Sequence, residues 1–116
     1  MAAANAVLDP RAARAAHLLR RVFAGIGTPL AFRLWDGTTV EVGPGPSDFC
    51  IAFGSRGAFR RILRRPTPLR FGEAYIAGDV DIDGDLFAAM RAADRVENHR
   101  IPLGTRLAVL ASLLRP

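Results

Sequence analysis

The clearest hydrophobic pattern of the chain is a short alternation in the sequence GDVDIDG at positions 78–84. Aspartates take the polar positions, and a valine and an isoleucine take the apolar ones. Alternation over five residues is typical of a strand with one buried face. Glycines at both ends favour tight turns. We therefore predict a strand at Val80–Ile82.

Three more strands are predicted before this one. Ala31–Trp35 and Thr38–Val42 flank the dipeptide Asp36-Gly37, which is typical of a hairpin turn. The third strand, Asp48–Phe53, follows a loop rich in glycine and proline. Together the four segments predict a small, mostly antiparallel sheet of about four strands.

Helices are predicted wherever apolar residues recur at helical spacing. The first begins at Asp9-Pro10, because aspartate is a good N-cap and proline is tolerated in the first turn. We expect it to pack on the sheet; the alternative is an amphipathic helix that lies on a membrane. The others are predicted at Arg56–Arg65, around Leu69–Ile76, after a cap at Asp83 or Asp85, and at Leu103–Leu114. The predicted fold class is α+β, with helices covering one face of the sheet.

The chain has 116 residues, which is long enough for one hydrophobic core. We predict a domain over residues 1–102, followed by an apolar helical segment over residues 103–116. That segment is apolar on nearly every side of the helix. We expect it to dock on the domain, on a partner, on a second copy of the chain or on a bilayer.

The net charge is +5, and all 16 basic residues are arginine. This favours anionic partners such as phospholipid surfaces or nucleic acid. No helix-turn-helix, zinc or stacking-aromatic motif accompanies the charge, so we expect no nucleic-acid partner. No secretory signal is evident, and no apolar run approaches the roughly 18 residues that span a bilayer. We expect a cytoplasmic protein, soluble or peripheral at the inner membrane face.

A motif of the form Leu-x-Phe-Gly-Glu-x-Tyr precedes Gly78-Asp79 and the alternating strand. The run resembles the N-terminal domain of the cyclopropane-fatty-acyl-phospholipid synthases, methyltransferases that modify double bonds in membrane lipids. The resemblance covers about Leu30 to Asp94, and the order of elements is loosely similar to sterol-carrier-type lipid-binding domains. The matching residues are Leu69, Phe71, Gly72, Glu73, Tyr75, Gly78, Asp79, Gly84 and Asp85.

The resemblance implies a non-catalytic role in lipid chemistry. In that family S-adenosylmethionine and the catalytic residues belong to a separate Rossmann-like domain, so none of them is carried over to this chain. The expected function is engagement of a phospholipid or membrane surface on behalf of a methyltransferase domain or subunit. Two alternatives stay open: a degenerate remnant with a structural or dimerising role, as a homodimer, and a free-standing lipid carrier.

The predicted helix at Arg56–Arg65 carries the candidate headgroup site. Guanidinium groups bind phosphate in a bidentate manner, and spacing at i, i+4 and i+8 forms one basic edge. The alternative interpretation is an ordinary solvated helix face. The candidate headgroup residues are Arg56, Arg60, Arg61, Arg64 and Arg65.

Apolar residues of the third strand and of the predicted helix around Leu69–Ile76 are candidates for contact with an acyl chain. They would line a pocket between these two elements, or else form ordinary core. Tyr75 is the only tyrosine, and its hydroxyl needs a partner if it is buried. The candidate acyl-chain residues are Phe49, Ile51, Phe53, Phe71, Tyr75 and Ile76.

No catalytic or metal-binding residue is predicted. The sequence from Asp79 to Gly84 resembles the start of a calcium-binding loop, but the twelfth position, which requires a carboxylate, is Met90. His17 and His99 lack a third ligand nearby. We expect Cys50, the only cysteine, to be a small buried apolar residue rather than a nucleophile.

Overall fold

The computed structural model describes residues 9–64, 67–99 and 103–114. Within these ranges the helices are α1 (Pro10–Val22), α2 (Arg56–Arg64), α3 (Pro68–Ala77), α4 (Leu86–Asn98) and α5 (Leu103–Leu114). The strands are β1 (Leu30–Arg33), β2 (Thr39–Val42), β3 (Phe49–Phe53) and β4 (Val80–Gly84).

The four described strands form one sheet in the order β2-β1-β3-β4. β1 pairs with β2, and β3 with β4, in the antiparallel sense. The central pair, β1 and β3, is parallel, with Phe32 opposite Ile51. The prediction of an α+β fold with a mostly antiparallel sheet of about four strands is therefore confirmed.

Alternation along the strands gives the sheet one apolar and one polar face. The apolar face carries the buried residues Leu30, Phe32, Val40, Phe53 and Val80, and the helices pack against it. On the opposite face Arg33 of β1 and Asp83 of β4 form an ion pair at 3.0 Å across β3. Both side chains are substantially exposed, so the pair adds little to stability.

The beginning of α1 is tied to the end of β1 through Asp9. One carboxylate oxygen of Asp9 accepts the Arg11 backbone N–H at 2.9 Å, and the other accepts the Trp35 Nε1–H at 2.8 Å. The predicted N-cap and the proline in the first turn are both present. The helix buries the face that contains Ala12, Leu19 and other apolar residues, as expected for a helix packed on a sheet.

The predicted hairpin turn at Asp36-Gly37 is confirmed. The Thr38 N–H donates to the Asp36 carboxylate at 2.9 Å, and Gly37 has a φ of +90°, which favours glycine. β1 ends at Arg33, two residues before its predicted end at Trp35. Leu34 already belongs to the turn, because its N–H donates to the Thr38 carbonyl and its carbonyl accepts from the Gly37 N–H.

α5 packs against α1 and α2. It buries Thr105 and Val109, while Leu103, Leu107 and Leu110 are exposed. The predicted division of the chain between residues 102 and 103 falls at the edge of a segment that lies outside the described residues. None of the described helices is long and apolar enough to cross a bilayer.

Two glycines bound the region of β4. Gly78 caps α3 in the left-handed conformation, with φ +83°. Gly84 ends β4 with φ +99°, and a Cβ there would contact the carbonyl oxygen of Asp48 and lie 3.0 Å from the Phe49 Cα. The close approach of β4 to β3 therefore requires glycine at position 84.

We predict that Gly84→Ala lowers the free energy of unfolding by roughly 3 kcal/mol, through backbone strain and the contact with Asp48. Gly104→Ala is the control, because a Cβ at Gly104 meets nothing within 4 Å. Urea unfolding followed by circular dichroism measures both. Equal stability of the two variants would contradict the account of this turn.

Candidate functional site

An apolar cavity of about 440 Å³ lies between the sheet and the helices α3 and α4. This volume falls within the range of small-molecule sites. The sheet side is lined by Leu30, Phe32, Phe49, Ile51 and Ile82.

Several of the residues that line the helix side of the cavity are small. α4 places Ala89, Ala92 and Ala93 against the space, and α3 places Gly72 there. Protein cores usually leave few voids larger than a water molecule. Leucine or isoleucine at these positions would fill the volume, whereas alanine and glycine leave it open.

α4 turns most of its predicted apolar face towards the cavity. Its sequence predicts that Leu86, Phe87, Met90 and Ala93 share a face, and Leu86, Met90 and Ala93 line the cavity. Phe87 does not line it and is 70% exposed, and Met90 is 62% exposed although it lines the cavity. Ala92, also in the lining, is buried.

The cavity opens to solvent through an apolar mouth. Tyr75 of α3 and Leu86 and Met90 of α4 line the cavity and are also exposed, so we define these three residues as the mouth. Next to them on the same helices are Ile76, 87% exposed, and Phe87. An exposed apolar surface around an apolar cavity is typical of a ligand or interaction site.

Polar groups are few at this site. Among the described residues that line the cavity, Asp94 is the one that carries a charge, and Tyr75 contributes a phenol hydroxyl. No arginine is among these lining residues. The cavity therefore suits an apolar chain, and an acidic side chain stands at its rim.

Four of the six predicted acyl-chain residues line the cavity: Phe49, Ile51, Phe71 and Tyr75. Phe53 does not. It is buried further along β3, with its ring 6.1 Å from that of Phe32 and 5.1 Å from that of Phe59. Ile76 does not line the cavity either, because it lies one helical step beyond Tyr75, on the outer side of α3.

The predicted headgroup arginines of α2 differ in their surroundings. Arg61 forms an ion pair with Asp79 at 3.2 Å and so connects α2 to the turn before β4. Arg64 is exposed, and Arg65 lies outside the described residues. None of the described α2 arginines lines the cavity, so the two predicted sites do not form one pocket.

Arg56 instead experiences charges from a distant part of the sequence. Desolvation lowers the pKa of its guanidinium, the charges of Arg60, Arg11 and Arg14 lower it further, and the charge of Asp9 raises it. Arg11 and Arg14 belong to α1 and were not among the predicted site residues. The sequence carries no signal for this arrangement, because it depends on how α1 and α2 pack.

A row of aromatic rings separates the cavity from these arginines. Phe23 and Phe32 line the cavity and stack at 5.4 Å. Phe53 and Phe59 continue the row, and the Trp35 ring lies 5.8 Å from that of Phe59. The cavity thus lies towards the beginning of β1 and β3, whereas Arg56 begins α2 beyond the last residue of β3.

Cys50 lies on the polar face of the sheet, half-buried rather than fully buried as expected. Desolvation raises the pKa of its thiol; the nearby Arg33 opposes this effect, and Asp83 and Glu41 add to it. A raised pKa keeps the thiol protonated at neutral pH, which makes it a poor nucleophile.

His99 has a structural partner rather than a free ring. The His99 Nε2–H donates to the Val22 carbonyl at 2.8 Å, at the end of α1, and its ring stacks on Phe23. In the described part of the chain, no group of three or more histidine, cysteine or acidic residues is arranged to hold a metal ion.

We predict that Asp9 contributes to the acid sensitivity of the fold. The hydrogen bond from the Trp35 indole N–H, and then that from the Arg11 backbone N–H, hold the pKa of this carboxyl below its usual value. A lowered folded-state pKa stabilises the protein above the unfolded pKa, and this contribution is lost as pH falls through the folded pKa. Asp9→Asn should therefore be less stable than wild type at pH 7, with a difference that shrinks in acid.

Urea unfolding at a series of pH values, followed by Trp35 fluorescence, measures this difference. A gap between wild type and Asp9→Asn that stays constant from neutral to strongly acidic pH would contradict the assigned role of the carboxylate.

Comparison with protein families gives a match to this chain. A family model described as a domain of unknown function, DUF7884, matches residues 16–100. The matched segment contains every described residue that lines the cavity, from Phe23 to Val96. No curated protein matches the chain at a significant level. The chain belongs to the family of this domain of unknown function, DUF7884.

Proposed function

We propose that the protein binds the acyl chain of a phospholipid in the cavity and presents it to a methyltransferase domain or subunit. The observation that carries this proposal is the apolar cavity of about 440 Å³ with its exposed apolar mouth. Each methylene that moves from water into such a site contributes about 0.8 kcal/mol. An unbranched chain therefore gains affinity with every carbon that the cavity accepts.

The charges at the mouth favour an esterified chain over a free fatty acid. Asp94 lies at the rim, and its carboxylate would repel the carboxylate of a fatty acid. A lysophospholipid or phospholipid has a neutral ester near the chain, so the repulsion is smaller. The methyl end would enter first, since the sheet side of the cavity is entirely apolar.

The link to a methyltransferase is supported by the place of the motif in the fold. Phe71, Gly72 and Tyr75 belong to the segment that resembles the N-terminal domain of cyclopropane-fatty-acyl-phospholipid synthases, and all three line the cavity. By that resemblance, the S-adenosylmethionine site and the catalytic residues belong to the partner methyltransferase domain or subunit. In this proposal the chain contributes the lipid site and no catalytic group.

Filling the cavity should abolish lipid binding without unfolding the protein. Ala93→Phe places a large apolar side chain in the space, and Ala13→Phe is the control, because Ala13 is exposed on α1. We expect wild type and Ala13→Phe to bind oleoyl lysophosphatidylcholine, titrated below its micelle concentration by calorimetry. Ala93→Phe should bind at least about tenfold more weakly, since it displaces several methylenes.

Thermal unfolding of the three proteins provides the fold control, and Ala93→Phe should be at least as stable as wild type. Equal affinity of a folded Ala93→Phe variant would overturn the assignment of the cavity as the lipid site.

A free-standing lipid carrier is the second candidate, because the cavity is formed within one chain. The two functions differ in what the protein does alone. A carrier accelerates transfer of labelled phospholipid between donor and acceptor vesicles, whereas an accessory domain holds its lipid for a partner. We expect no more transfer with wild type than with Ala93→Phe. Acceleration that Ala93→Phe abolishes would favour the carrier.

A further inference from the structure

In the described part of the chain, the large apolar side chains that are exposed fall into two groups. One group lies on α3 and α4, around the mouth of the cavity, and the other lies on α5. Besides the three mouth residues, the first group contains Leu69, Ile76 and Phe87, each at least 70% exposed. We call these three side chains the outer patch.

Helical spacing places the outer patch directly beside the cavity lining. On α3, Leu69 is three residues before Gly72 and Ile76 is four residues after it, and Gly72 lines the cavity. On α4, Phe87 is three residues before Met90, which lines the cavity and is exposed. Residues three and four apart are neighbours on a helix surface. The apolar surface therefore continues from the inside of the cavity, through the mouth, to the outside of both helices.

The charges at the border of the outer patch nearly cancel. Glu73 is four residues after Leu69, Arg91 is four residues after Phe87, and Asp94 is seven residues after Phe87. Such spacings keep residues on one side of a helix. Two carboxylates and one guanidinium give no net attraction to an anionic surface. Attachment through the outer patch must therefore come from its apolar side chains.

The apolar surface is small for a protein–protein interface. A stable interface usually takes roughly 20–30 residues from each side. The outer patch and the mouth together provide six large apolar side chains, and a second copy placed over them would also close the mouth. A bilayer needs no matching shape, because each apolar side chain that enters it leaves water independently.

We propose that the outer patch and the mouth insert into the surface of a phospholipid bilayer, so that an acyl chain passes into the cavity without crossing water. This inference rests on the proposed acyl-chain site, which requires the mouth to face lipid. Tyr75 suits the boundary, because its ring is apolar and its hydroxyl reaches the polar headgroup layer. The contact is apolar, so it needs no anionic headgroup.

Flotation of the full chain with vesicles of phosphatidylcholine alone tests this attachment. The variant is Ile76→Ser/Phe87→Ser, and its control is Leu107→Ser/Leu110→Ser, which removes two exposed leucines from α5. Ile76→Ser/Phe87→Ser should bind at least about thirtyfold more weakly than wild type, whereas the control should lose less than about threefold. Added salt should leave wild-type binding unchanged. Circular dichroism should show that both variants are folded.

Binding of oleoyl lysophosphatidylcholine below its micelle concentration separates this proposal from the proposed function. Ile76→Ser/Phe87→Ser should bind this lipid with an affinity close to that of wild type, because neither side chain lines the cavity. Ala93→Phe should lose the lysolipid and still bind vesicles. Vesicle binding by a wild-type protein that takes up no lysolipid would overturn the cavity assignment and support the bilayer contact.

Three outcomes would overturn the bilayer contact: no binding of wild type to the vesicles, undiminished binding by Ile76→Ser/Phe87→Ser, or equal losses in this variant and the α5 control. Sedimentation velocity without lipid tests the other occupant. A wild-type dimer that Ile76→Ser/Phe87→Ser converts to a monomer would mean that a second copy covers the outer patch, and the bilayer assignment would be wrong.

Discussion

Small side chains on the inner side of α4 determine how the rest of the domain is organised. Ala89, Ala92 and Ala93 face the sheet, and Gly72 of α3 stands beside them. α3 and α4 cover β1, β3 and β4 but leave an unfilled space between the helices and the sheet. Leu86 and Met90 of α4 line the same space and are exposed at its mouth. The site thus combines small residues next to the sheet with larger apolar residues at the opening.

The opposite end of the same sheet is packed in the ordinary way. Phe53, Phe59 and Trp35 form an aromatic cluster there, and the buried face of α2 seals it. Trp35, which donates to Asp9 at the start of α1, packs on Phe59 of α2 and so connects these two helices. The domain consequently has an apolar cavity towards one end of the sheet and a filled core towards the other.

The local parts of this architecture could be predicted from sequence. The cap at Asp9, the turn at Asp36-Gly37 and the strand before Gly84 depend on neighbouring residues alone. The open space beneath α4 could not, because an apolar helix face is equally compatible with a filled core. The parallel pairing of β1 with β3 depends on tertiary packing, for which neither periodicity nor spacing gives a signal.

The most direct test of the central claim is nuclear magnetic resonance of the full chain with oleoyl lysophosphatidylcholine, because it locates the bound chain. The account predicts intermolecular nuclear Overhauser effects from the chain methylenes to the methyl groups of Ile51, Ile82 and Met90, which line the cavity. It predicts none to the exposed Leu103 and Leu107 of α5. Contacts to those leucines, with none to the three cavity residues, would contradict it.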